Sequence, residues 1–118
     1  MRPETAGSVA DACWPPNAYW KLLTGIDLGQ YEASWQLQSV VERQFLILGE
    51  AIVRVRQLET PIFDKLPDSD SIVRFRNLLV HAYDLIDPKR VYAIATEDLP
   101  AFTPALTQLV AEAEAQGL

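Results

Sequence analysis

Cysteine is nearly absent from this sequence: Cys13 stands alone among 118 residues. A single thiol excludes an internal disulfide framework and any zinc site built from several cysteines, and it fits a reducing compartment. Histidine is as scarce, with His81 the only one. Long apolar runs are missing. Phe45-Leu46-Ile47-Leu48 is the longest useful one, far short of the roughly 18 residues that cross a bilayer. Arg2 has no continuous apolar core behind it, so no signal peptide is read, and a soluble, cytoplasmic chain with no membrane contact is expected. There is no internal repeat, no low-complexity tract and almost no alternation of period two, which leaves an all-helical reading. The apolar share of 49% and charged share of 22% are those of ordinary globular chains and argue against intrinsic disorder. The length suits one domain over residues 1–118, large enough to fold without a staple.

Base is the charge in deficit. Ten basic residues face 16 acidic ones, a net −6, which argues against a passive, sequence-independent coat for nucleic acid. The deficit is uneven. Between Glu42 and Arg90 eight bases cancel eight acids, whereas Val91 to Leu118 holds Glu97, Asp98, Glu112 and Glu114 with no base. The middle of the chain can therefore still hold a local basic site.

What is present is helical periodicity, punctuated by eight prolines and five glycines. Leu37, Val41, Phe45, Leu48, Ile52 and Val55 follow steps of three and four, one stripe of a long helix over about Tyr31 to Arg56. Gly49 interrupts that stripe at a cost of about 1 kcal/mol to a helix interior, which close approach of another helix would explain. Pro61 and Pro67 mark a break over about Gln57 to Asp70. Ser69 or Asp70 would cap a helix over about Ser71 to Ile86, apolar at Ile72, Phe75, Leu78, Leu79, Ala82 and Ile86. Asp87-Pro88 reads as an N-cap with proline in the first turn of the next helix. Pro100 and Pro104 kink or restart that helix, and Gln116-Gly117 stops it. An antiparallel bundle of four to five helices follows.

The chemistry concentrates in Arg76-Asn77-Leu78-Leu79-Val80-His81-Ala82-Tyr83-Asp84. On a continuous helix Asn77 and His81 share a face, Arg76 and Tyr83 nearly align, and His81 neighbours Asp84. Such polar groups need partners or water, since burying them unpaired costs a few kcal/mol each. One reading is structural: a surface or satisfied core histidine and an ordinary Arg76–Asp84 ion pair, strained by two helical turns of separation. The other is catalytic. Histidine titrates near neutrality and can move a proton, and arginine presents a permanently charged fork to a phosphate. Together they suit attack of an RNA 2′-hydroxyl on its own phosphate, which needs neither metal nor cofactor. Arg76 and His81 point about 140° apart on one helix, so a shared phosphate calls for two copies across a two-fold axis.

Arg76-Asn77-Leu78-Leu79-Val80-His81 resembles the signature of HEPN domains: arginine, a polar residue, then histidine. Tyr83, two residues further on, resembles the HepT branch. Val41-Glu42-Arg43-Gln44 and Leu48-Gly49-Glu50-Ala51 are similar to that branch's long-helix motif. Asp87 to Val91 and Asp98-Leu99-Pro100 are similar to its C-terminal segment. The resemblance covers about ninety residues from Gln30 onward.

It implies a dimeric, all-α HEPN-like bundle acting as a metal-independent endoribonuclease toxin on RNA such as tRNA or mRNA. It also implies a minimal nucleotidyltransferase antitoxin that silences the toxin by transferring AMP to Tyr83. By position, Arg76 would stabilise the phosphate, His81 serve as general base or acid, and Asn77 orient them. Glu50 and Asp84 would be supporting residues, Glu50 more as a polar contact between helices than as a catalytic group. The alternative is a non-catalytic helical partner, or nucleotide-binding subunit, of a nucleotidyltransferase. A third possibility is a structural dimer whose polar cluster only fixes register.

Residues 1–29 depart from the pattern. Family members open with an uninterrupted amphipathic helix, whereas Trp14-Pro15-Pro16-Asn17 falls within that stretch here. The expectation is a first helix that is short, broken or displaced. Trp14, Tyr19 and Trp20 would pack in the core or a dimer, or form an exposed patch for bases or a partner.

Overall fold

A computed structural model describes the backbone of residues 1–118 and the side chains of all except residues 14–20. The expectations for Trp14, Tyr19 and Trp20 therefore lie outside the described residues. Four longer helices carry the fold: α1 (Pro3–Leu23), α3 (Trp35–Leu58), α5 (Ser69–His81) and α7 (Leu99–Ala115). Short helices α2 (Leu28–Glu32), α4 (Thr60–Asp64) and α6 (Pro88–Ala93) lie in the connections, with a 3-10 turn at Tyr83–Leu85 and a π-turn at Ile94–Asp98. No strand occurs among the described residues, and none of their helices is long and apolar enough to cross a membrane.

Contacts fix the directions. Arg54 on α3 pairs with Asp11 on α1 at 3.3 Å, and Arg2 at the head of α1 donates to Leu58 O at the tail of α3. Cys13 on α1 meets Thr107 on α7, while the amino terminus donates to Gln116 beyond the end of α7. Phe45 packs edge-on against Phe75, with centroids 5.1 Å apart, and Glu42 meets Tyr83 further along. So α3 and α7 both run antiparallel to α1, and α5 runs antiparallel to α3.

The expected stripe is the spine of the core. Val41, Phe45, Leu48, Ile52 and Val55 are buried, with Leu37 packed against their edge. Ile72, Phe75 and Leu79 of α5 and Leu99, Phe102, Leu106 and Leu109 of α7 close over it.

Several boundaries differ from the sequence reading. The first helix is not short: α1 spans Pro3–Leu23. It buries Thr5, Ser8, Val9 and Ala12, and its packing on α3 is the most extensive between helices among the described residues. Tertiary burial thus offsets a poor local sequence. The long helix begins at Trp35, because Ser34 accepts from Leu37 N as its N-cap. Tyr31 belongs instead to α2, which Asp27 opens with a capping box to Gln30. The expected break contains α4, which proline in its first turn permits. The cap of α5 is Asp68 at φ 58°, the left-handed conformation that aspartate tolerates, while Ser69 spends its hydroxyl on Phe63 O. Asp87 caps α6 as read, accepting from Lys89 N. The π-turn precedes Pro100, where a proline ring disrupts regular α-helical bonding to the preceding turn.

Candidate functional site

Helix α5 ends at His81, five residues before the expected Ile86. Ala82 leaves helical geometry at φ −140°, ψ 48°, and Tyr83 and Asp84 lie on the 3-10 turn. Further on, Asp87 adopts φ −100°, ψ 119°, as expected of a residue before proline. The alignments of Arg76 with Tyr83 and of His81 with Asp84, which assume a continuous helix, do not hold. Nor does Arg76 pair with Asp84.

Arg76 turns instead toward α3. Its Nε and Nη2 donate to Glu50 Oε1 at 3.1 and 2.6 Å, and its Nη1 donates to Asn77 Oδ1 at 2.8 Å. The pair sits at the surface edge of the helix interface, with the Arg76 side chain 21% and Glu50 46% exposed. Three of the five guanidinium N–H groups are engaged, which leaves two for a ligand. Glu50 offsets part of the charge that a phosphate would meet.

Gly49 makes this placement possible. An ideal Cβ there would stand 2.6 Å from Arg76 Cγ and closer still to Arg76 Cβ. The absent side chain lets α5 approach α3 closely enough for the first carbons of Arg76 to lie on the α3 backbone. The closeness read from Gly49 in the sequence is thus a contact with Arg76 itself.

His81 and Asp84 are exposed, and neither has a hydrogen-bond or ion-pair partner among the described residues. Val80, Tyr83 and Leu85 are exposed beside them, Tyr83 to 63%. His81 is therefore open to solvent with apolar side chains around it. Arg76 is held against α3 by Glu50, and no hydrogen bond joins it to His81.

Sequence reasoning gave no site role to Glu42, read only as part of a long-helix motif, or to Tyr31, read only as a helix start. Tyr83 Oη donates to Glu42 Oε2 at 3.2 Å. Glu42 is only 9% exposed, and burial holds its carboxyl above the usual carboxylate range, although the Tyr83 hydrogen bond pulls the other way. The Glu42 charge in turn raises the Tyr83 phenol, aided by the hydrogen bond. Tyr31 is fully buried against Tyr92, and its hydroxyl has no partner among the described residues. Burial first, then the charges of Glu42 and Tyr83, push its phenol up. The signal for Glu42 was its position on the core stripe, three residues before Phe45, where an acid is rarely placed without a partner.

No curated protein and no solved structure matches the chain. A family model described as "Ribonuclease HepT-like" matches residues 18–109. That span begins within α1, ahead of the Gln30 start read from sequence, and takes in Gly49-Glu50, the Arg76-Asn77…His81 motif and Tyr83. The all-α bundle and this match agree, and the chain belongs to the HepT-like ribonuclease family of HEPN proteins.

Proposed function

We propose that this chain is a metal-independent endoribonuclease, the toxin of a toxin–antitoxin pair, cleaving RNA in a cleft shared across a homodimer. One HepT-like domain over residues 1–118 would carry it in the cytoplasm, on tRNA or mRNA. The observation that carries the reading is the pairing of an exposed, unpartnered His81 with an Arg76 that keeps two N–H groups available five residues away.

A 2′-hydroxyl attacks the adjacent phosphorus, the 5′-oxygen leaves, and a 2′,3′-cyclic phosphate results. The nucleophile is internal to the RNA, so the residues need only move protons and stabilise charge. His81 takes the 2′-hydroxyl proton or returns one to the leaving oxygen. Arg76 meets the developing charge with the N–H groups that Glu50 and Asn77 leave open. Asn77 fixes the guanidinium plane through its 2.8 Å bond. Asp84 is exposed on the 3-10 turn and does not pair with Arg76, so its supporting role would be toward the RNA or the second copy. The angular offset between Arg76 and His81 is resolved by a second copy, and the exposed Val80 and Leu85 give that copy an apolar surface to cover while Tyr83 stays accessible at its edge. A cognate minimal nucleotidyltransferase would silence the enzyme by placing AMP on Tyr83, whose exposure leaves it open to modification. The bulky anion would fill the mouth of the cleft beside His81.

The Arg76–Glu50 pair is the observation that favours the alternative, a non-catalytic partner or nucleotide-binding subunit, because it already occupies part of the fork. A cleavage assay in EDTA with wild type, His81→Ala and Arg76→Ala separates the two. Cyclic-phosphate ends from wild type alone support the nuclease. No cleavage by well-folded dimers on several RNAs, tRNA included, supports the binding subunit. Mass spectrometry after incubation with the partner and ATP locates AMP, and an adduct away from Tyr83 refutes its role.

A further inference from the structure

We propose that Glu42 is the general base for the modification of Tyr83, so that the target carries the group that activates its own acceptor hydroxyl. This rests on the reading of Tyr83 as the AMP acceptor and adds to it a residue on α3, 41 positions away in the chain.

Geometry is the first support. The Tyr83 Oη–H points at Glu42 Oε2 over 3.2 Å, within the reach required of a base for the proton it removes. Tyr83 is otherwise exposed, so an electrophile can approach Oη while the carboxylate stays behind it. Glu42 is also unspent. No ion pair to it exists among the described residues, and the titratable groups that face it are Tyr83 from the 3-10 turn and Tyr31 from α2. A buried carboxylate without a cation is a costly arrangement for structure alone, and a stronger base than an exposed one because burial favours its protonated form.

Tyr83 Oη attacks the α-phosphorus of a nucleoside triphosphate and the Oη–P bond forms. The bond from that phosphorus to the bridging oxygen breaks, and pyrophosphate leaves with its electron pair. The phenolic proton passes to Glu42 Oε2. The product is a neutral carboxylic acid, the form its buried site favours. The Glu42 charge raises the phenol in the resting protein, so Tyr83 stays protonated until attack begins and gives up its proton as the new bond draws electrons from Oη.

Adenosine 5′-phosphorimidazolide tests this without the partner enzyme, because it transfers AMP to nucleophiles unaided. The full chain is treated across pH 6 to 10, and the Tyr83 adduct is followed by peptide mass spectrometry against N-acetyltyrosinamide in the same solutions. Wild type is expected to react about 10²-fold faster than Glu42→Gln at pH 7, the low end of general-base effects. The gap should narrow toward pH 10, as phenolate begins to form in Glu42→Gln, where the Glu42 charge no longer raises the phenol. Glu42→Asp should retain part of the advantage. Equal rates for wild type and Glu42→Gln at pH 7 overturn the proposal. So does a wild-type profile parallel to N-acetyltyrosinamide through neutrality, a readout that needs no variant to fold. A partner that adenylates another residue would refute the modification reading while leaving this chemical result standing.

Discussion

Replacing Gly49 by alanine separates two opposing effects that the structure makes measurable. In a helix interior alanine is favoured over glycine by about 1 kcal/mol, so without contacts the change stabilises. At Gly49 the new Cβ would lie 2.6 Å from Arg76 Cγ, against 3.4–4 Å for ordinary contact. It would also press on Arg76 Cβ, which moves only with the α5 backbone. Arg76 must then move away by at least 0.4 Å to reach 3.0 Å, and by 0.8 Å to reach ordinary contact at 3.4 Å. Overpacking of that kind costs about 1–3 kcal/mol, leaving Gly49→Ala destabilised by roughly 0–2 kcal/mol after the helical gain. Gly7 is the internal control, since it lies in α1 with nothing within 4 Å of its Cβ position. Gly7→Ala should gain up to about 1 kcal/mol. Thermal unfolding followed by circular dichroism should place the two variants on opposite sides of wild type, or at least about 3 °C apart. RNA cleavage should fall in Gly49→Ala alone, because a catalytic group displaced by about 1 Å can lose 10²-fold in rate. If both variants gain stability equally, the close approach of Arg76 to α3 is refuted.

Two further outcomes follow from the charged groups. Glu50→Gln removes the carboxylate that offsets Arg76, so RNA binding should tighten and the slope of log K against log salt should steepen by about 0.7, one extra phosphate contact on a single strand; a slope equal to wild type refutes the offset. Glu42 holds its proton more tightly when folded than unfolded, so its contribution is full below the unfolded carboxyl's pKa and is lost as pH rises through the folded one. Glutamine stays neutral, so the stability of Glu42→Gln relative to wild type should rise across that window and level off above it. Urea unfolding between pH 3 and 8 measures this, and a constant difference refutes the burial argument.

Much of the fold was legible because its signals are local. The stripe from Val41 to Val55 repeats at helical period, and Asp87-Pro88 is a cap whose chemistry lies within three residues. Gly49 announced a close neighbour because a mid-helix glycine is costly without one. The motif Arg76-Asn77…His81 was legible as a pattern of residue types, and it lies within the span that the family model matches.

What the chain could not show by itself are the outcomes of competition between distant groups. Arg76 chooses Glu50 over Asp84 because Gly49 brings α3 near while α5 stops at His81, and both conditions depend on packing. The Pro15-Pro16 pair predicts a broken first helix from local cost alone, yet α1 spans Pro3–Leu23 because α3 and α7 offer it a surface to bury. Tyr83 finds Glu42 only because the chain leaves the helix at Ala82. The sequence by itself determined the elements, the apolar faces and the inventory of reactive groups, since these follow from period and residue type. Tertiary structure alone decided which charges meet, because that depends on where helices end and how closely they approach.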